Sequence, residues 1–163
     1  MLDRLFPTPL DNDYRGNKLA LWLFYPLTAV ILVRSGIHLL RADGGAQTIA
    51  TIPLDQFSDG AAATIVGLFA QWGLVQLLLA GLFVVVLWRY RALLPFAYLL
   101  FLVENIGRAL IGAVKPIETV GTPPGGPGSY IFMGIALIGL VLSLRRSATP
   151  GESAHAATLS AEI

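Results

Sequence analysis

Residues 93–114 read LLPFAYLLFLVENIGRALIGAV, an apolar run interrupted near its middle by Glu104 and Arg108. A helix needs about 20 apolar residues to cross a bilayer, and this run meets that length. An ionised side chain at such a depth costs on the order of 2.5–3.5 kcal/mol on insertion scales. A spacing of four puts Glu104 and Arg108 on one helical face, one turn apart, where they can pair. The segment therefore reads as a membrane helix whose polar face looks into a bundle rather than into lipid.

Three further stretches reach spanning length. With this one at about 92–114, the spans are expected at about 18–40, 62–88 and 129–144. The chain of 163 residues is 55% hydrophobic and 13% charged. A soluble domain carries roughly 25% charged residues, so the missing charge is what a lipid-facing surface demands. The expectation is an all-α, polytopic membrane protein, a four-transmembrane-helix antiparallel bundle. The first apolar run is too long for a cleavable leader and contains Arg34. The fourth, as the shortest, is expected to stand nearly upright or to thin the bilayer around it.

Lys and Arg in the short connections set an orientation. Arg4, Arg15, Lys18, Arg89, Arg91, Arg145 and Arg146 fall on one side; Arg41 and Lys115 fall on the other. Both termini are thus expected in the cytoplasm of a cell with a bacterial inner membrane. Residues 1–17 form a cytoplasmic N-terminal segment in which Pro7 and Pro9 oppose a regular helix. Asn17 is placed to cap the first span, and WRYR, residues 88–91, forces a tight hairpin. The loop KPIETVGTPPGGPGS, residues 115–129, is expected to lack regular structure because it is rich in Pro and Gly. Residues 147–163 are small and polar and read as a disordered tail.

Net charge is +1, which gives no field suited to nucleic acid. The chain has no cysteine, so it lacks disulfides, thiolate ligands and dithiol redox chemistry. Its histidines, His38 and His155, are far apart, and no metal or other cofactor is expected. Soluble-enzyme signatures such as GxGxxG, the P-loop, GxSxG, HExxH and CxxC are missing. No catalytic residue is assigned, and an enzyme is the less favoured class.

The chemistry-bearing residues lie inside the spans. Arg34 and His38 are four apart and share a face in the outer half of the first helix, near the depth of Arg108. Gln71 falls in the outer half of the second helix, on a face with Thr64 and Gly67. Gln76 lies on another face with Gly73 and Ala80. The simplest arrangement gathers Arg34, His38, Gln71, Glu104, Asn105 and Arg108 as a ligand-binding cluster with one carboxylate against two guanidiniums. Its surplus positive charge suits an anionic head group, a carboxylate or a quinone carbonyl, and arginine's planar fork suits paired oxygens. A structural Glu104–Arg108 pair that fixes helix register remains open, as does a proton relay through Glu104 and His38.

The phrases DYRGNKLALWLF (13–24), WRYRALLPF (88–96) and ENIGRALIG (104–112) resemble a small bacterial family of uncharacterised integral membrane proteins. More distantly, in architecture, the chain is similar to the DoxX-like four-helix membrane proteins. The resemblance implies a fold and carries no activity. The function expected is that of a small membrane protein with an intramembrane polar pocket for a lipid-like, amphipathic anionic or quinone-like ligand. The alternative is a non-catalytic accessory subunit of a larger membrane complex. Partners are accordingly membrane lipid, a quinone or amphipathic small molecule, and a larger complex or homo-oligomer.

Overall fold

The computed structural model describes residues 2–145, and all regular structure among them is helical. A short α1 (Leu2–Leu5) precedes four long helices: α2 (Lys18–Leu40), α3 (Asp59–Arg89), α4 (Leu94–Val114) and α5 (Gly125–Leu144). Single 3-10 turns lie at Leu54–Gln56 and Arg91–Leu93. The four long helices are apolar enough and long enough to cross a membrane. The fold is an all-α, four-transmembrane-helix antiparallel bundle.

Local chemistry sets the helix ends. Asn17 caps α2 by accepting a hydrogen bond from the Leu19 amide at 2.9 Å. Ser58 Oγ accepts from the Ala61 amide at 3.4 Å, which starts α3 three residues before the expected Ala62. With 31 residues, α3 is about 46 Å long at 1.5 Å per residue, more than a hydrocarbon core requires. Pro95 sits in the first turn of α4, where an amide has no intrahelical partner to lose.

The fourth span corrects two expectations. It begins at Gly125 rather than Ser129, so GGPGS is helical instead of irregular. Pro127 is tolerated because it lies in the first turn, before the backbone ladder needs its N–H. The Gly126 and Gly128 amides bond back to Pro123 and Pro124 carbonyls at 3.1 Å each. The added turn gives α5 20 residues, about 30 Å, which spans without thinning the bilayer.

Packing places α2 beside both α3 and α5, and α4 beside α5; α3 and α4 approach each other less closely. An aromatic core fills the half nearer the chain's start. The Phe24 ring meets Phe83 and Tyr98 edge-on, with centroids 5.1 and 4.6 Å apart. The Tyr98 hydroxyl donates to the Ala20 carbonyl at 2.6 Å, which satisfies it in an apolar setting. Across from it, a Cβ on Gly139 would lie 2.2 Å from the Tyr98 ring, so α5 must be glycine there. Ala136, Gly139 and Ser143 form the buried face of α5, so this small-residue stripe is used inside the monomer. Outward positions such as Trp22, Leu78, Val103 and Ile138 are exposed, as side chains facing lipid would be.

Residues 2–17 strap the end of the bundle where α2 begins. Arg4 Nη1 donates to the Leu144 carbonyl in the last turn of α5. The Asn17 amide donates to Leu142 O at 3.3 Å, and the Ala92 amide to Asp11 O at 3.3 Å. Phe6 lies against Phe96 with ring centroids 5.5 Å apart. Beneath the strap is a cavity of about 290 Å³ whose lining includes Arg4, Tyr14, Arg15 and Ser143. Burial pushes the Tyr14 phenol up from its ordinary value, and the protonated hydroxyl donates to Asn17 O at 3.0 Å.

The opposite end carries two loops that touch. Val120 donates its amide to Thr51 O at 3.0 Å, and Thr51 Oγ1 donates to Gly121 O at 3.2 Å. Thr51 has φ +57°, an unfavourable value for a β-branched residue. The first loop folds back on the bundle, burying Ala46 and Ile52.

Candidate functional site

Trp72 of α3 is the hub of the polar cluster. The guanidinium carbons of Arg34 and Arg108 each lie 5.6 Å from its ring centroid, within cation–π range. The His38 ring packs on the same indole at 4.7 Å with a 30° tilt, and Phe69 meets both rings edge-on. Three helices therefore deliver side chains to one indole: α2 gives Arg34 and His38, α3 gives Trp72, and α4 gives Arg108. The close approach of α2 and α3 depends on Gly73, where a Cβ would lie 2.6 Å from that of His38.

On α4, Glu104 Oε1 lies 2.9 Å from Arg108 Nε, so the expected pair is formed. The contact is off the line of the N–H, and Nε makes no aligned hydrogen bond. Arg108 Nη2 donates to Asn105 Oδ1 at 2.9 Å and to Ser129 Oγ of α5 at 3.5 Å. Asn105 is itself held by its Nδ2, which donates to Phe101 O at 2.9 Å. Arg34 does not meet Glu104; its Nε donates to Gln76 Oε1 at 3.1 Å.

His38 is oriented from outside its own helix. Its Nδ1 lies 2.7 Å from Gly44 O, and a carbonyl only accepts, so Nδ1 carries the proton. Gly44 and Gly45 have φ +58° and +75°, a left-handed turn that glycine adopts without strain. Asp43 ties this turn together. Its carboxylate accepts from the Gly45 amide at 2.9 Å and from the Thr48 amide and hydroxyl at 2.8 Å each. Burial works to raise the Asp43 carboxyl, but the bonds from Thr48 and Gly45, with Arg41 nearby, outweigh it and hold it at about 2.

Of the six residues expected together, Arg34, His38, Glu104, Asn105 and Arg108 converge, and Gln71 does not. Gln71 is exposed on the outside of the bundle. The reason is helical phase: α3 buries Gly73 and Gln76, and two residues before Gly73 the helix has turned through about 200°. Gln76 takes the place assigned to Gln71. It shares its buried face with Gly73 and Ala80. Trp72 and Ser129 carried no signal in the sequence: an intramembrane tryptophan reads as lipid-facing, and Ser129 as a helix end.

Three buried polar atoms in the cluster have no hydrogen-bond partner: Gln76 Nε2, His38 Nε2 and Arg108 Nε, the last held only by its ion pair with Glu104. The Gln76 and His38 side chains are buried, with Gln76 only 3% exposed. A buried unpaired donor or acceptor is costly, about 1–3 kcal/mol. The arrangement thus combines two guanidiniums, one carboxylate and unspent hydrogen-bonding capacity. Arg34 also walls a shallow open groove of about 330 Å³ on α2, otherwise lined by Ala29, Val30, Val33 and Ile37. No hydrogen bond joins Glu104 to His38 among the described residues, and no cluster of three His, Asp or Glu side chains gathers there for a metal.

No protein-family model, curated protein or solved structure matches the chain. The residues themselves carry the functional argument.

Proposed function

We propose that this chain is a small membrane protein that binds an amphipathic ligand, anionic or quinone-like at its head, in the polar cluster around Trp72. The observation that carries this reading is the convergence of Arg34 and Arg108 on one indole beside a buried Gln76 amide with unspent donors. Two guanidiniums face a single carboxylate, so an oxygen-rich head group is the natural complement. The groove beside Arg34 offers an apolar path for a tail. The orientation set by Lys and Arg puts the cluster in the outer half of a bacterial inner membrane, with both termini in the cytoplasm.

An accessory subunit would use its surface helices to hold neighbours. The small-residue face of α5 is already spent on Tyr98 and the monomer core, which favours the pocket. Native mass spectrometry of gently purified protein separates the two readings. A reproducible small molecule, lost in the Arg34→Leu/Arg108→Leu protein while helicity is retained, supports the pocket. Stoichiometric companion chains and no small molecule would support the subunit instead.

A further inference from the structure

The cavity beneath the strap lies at the end of the bundle where α2 begins, remote from His38 in that helix's last turn. Pro95 in the first turn of α4 and Ser143 in the last turn of α5 line it, with Asp3, Arg4, Asp13 and Arg15. It therefore sits level with the span ends, the depth at which lipid head groups gather. Exposed side chains mark the same depth: Leu2, Phe6 and Leu10 on the strap, and Trp22 and Trp88 on the adjoining helix ends. At about 290 Å³ the cavity falls at the small end of ligand sites, which run to about 300–1,000 Å³. That size suits a head group rather than a whole lipid.

The wall carries charges of both signs. Arg15 is engaged, 2.5 Å from Asp11 and 3.4 Å from Asp13. Among the described residues, Arg4 makes one hydrogen bond, to Leu144 O, from five donors, and Asp3 makes no hydrogen bond or ion pair. Tyr14, also on the wall, gives its proton to Asn17 O and keeps an oxygen lone pair for another donor. A simple anion would find Arg4 but also the carboxylates of Asp3 and Asp13. A zwitterion meets both signs at once, with oxygens toward the guanidinium and N–H donors toward the carboxylates.

We infer that this cavity holds the head group of a zwitterionic phospholipid with a primary ammonium, its phosphate at Arg4 and its ammonium at Asp3 and Asp13. A primary ammonium offers three N–H donors to carboxylates, and a quaternary one offers none. The site is separate from the Trp72 cluster and does not rest on the ligand proposed there.

Native mass spectrometry of the full, delipidated chain tests this with four probes: dioleoylphosphatidylethanolamine, dioleoylphosphatidylcholine, dioleoylphosphatidylglycerol and soluble glycerophosphoethanolamine. Phosphatidylethanolamine should bind about fivefold more tightly than the other two lipids, the upper range for ion pairs open to water. Asp3→Lys should reverse the order and put phosphatidylglycerol first. Asp13→Asn removes a second carboxylate of the wall and should erase most of the preference, which serves if Asp3→Lys loses helicity. The Arg34→Leu/Arg108→Leu protein should keep the preference in full. Equal binding of the three lipids, phosphatidylglycerol binding tightest to the parent chain, or a preference unmoved by Asp3→Lys would overturn the assignment. Loss of the preference in Arg34→Leu/Arg108→Leu would overturn this site and move the lipid to the Trp72 cluster. Glycerophosphoethanolamine binding as tightly as the lipid would overturn the membrane source and make the ligand a soluble one.

Discussion

Arg34 and Gln76 meet across the α2–α3 interface through a single hydrogen bond, Nε to Oε1, at 3.1 Å. The bond fixes which way the amide points, and so decides that the atom left over is a donor. Gln76→Leu should cost about 1–3 kcal/mol, because it strands a half-buried guanidinium. Adding Arg34→Leu should restore most of that loss, since removing both members of a polar pair in apolar surroundings is far milder than removing one. Thermal unfolding in detergent of the two singles and the double reads the coupling.

Glu104 and Arg108 make a parallel case on one helix. Glu104→Ala should destabilise more than Glu104→Ala/Arg108→Ala, because Asn105 and Ser129 alone do not neutralise the arginine. Strictly additive losses would show that the contact carries no energy.

Gly139→Ala should lower stability by about 1–3 kcal/mol through forced displacement of Tyr98. Tyr98→Phe should cost only about 1 kcal/mol, the hydrogen bond to Ala20 O. If Gly139→Ala proves as stable as the parent chain, the α4–α5 contact yields to a methyl group without cost.

The turn that orients His38 should depend on pH through Asp43. Its folded value, about 2, lies below the ordinary 3.8. A depressed carboxyl stabilises the folded turn fully above the unfolded value, and that contribution fades as pH falls from about 4 toward 2. Amide chemical shifts of Gly45 and Thr48 should move over that window. In Asp43→Asn the window should vanish; shifts that persist would assign the titration to another group.

Reporter fusions test the orientation. Fusions after Arg91 and after Arg146 should both report cytoplasm, and one near Thr119 the opposite side. An outside signal at Arg146 would reverse the expected side of the chain's last segment.

Span number and type were legible because a bilayer imposes length and apolarity on every crossing, and α2 even begins at the residue its Asn17 cap foretold. The paired charges were legible because helical spacing alone brings Glu104 to Arg108. What the sequence hid was phase and partner. Gln71 and Gln76 differ by about 140° around α3 at 100° per residue, and only the packing of Gly73 on His38 shows which one faces inward. Arg34 had two equivalent acceptors available in sequence, Glu104 and an amide, and the choice was made by which helix lay beside α2. Pro127 misled for a related reason: the rule against proline in helices lapses in the first turn, and the start of α5 cannot be read from composition. Residues 146–163, including the expected tail and His155, lie outside the described residues.

The strap has a consequence for order of assembly. Arg4 and Asn17 leave the ribosome early, yet their acceptors, Leu144 O and Leu142 O, belong to the last turn of the last helix. Neither bond can form until all four spans have been inserted, so the early segment must wait at the membrane surface while the rest is made. Closure of the bundle's near end is therefore a late event. A ribosome stalled before Leu142 should leave residues 2–17 open to protease, and release of the finished chain should protect them.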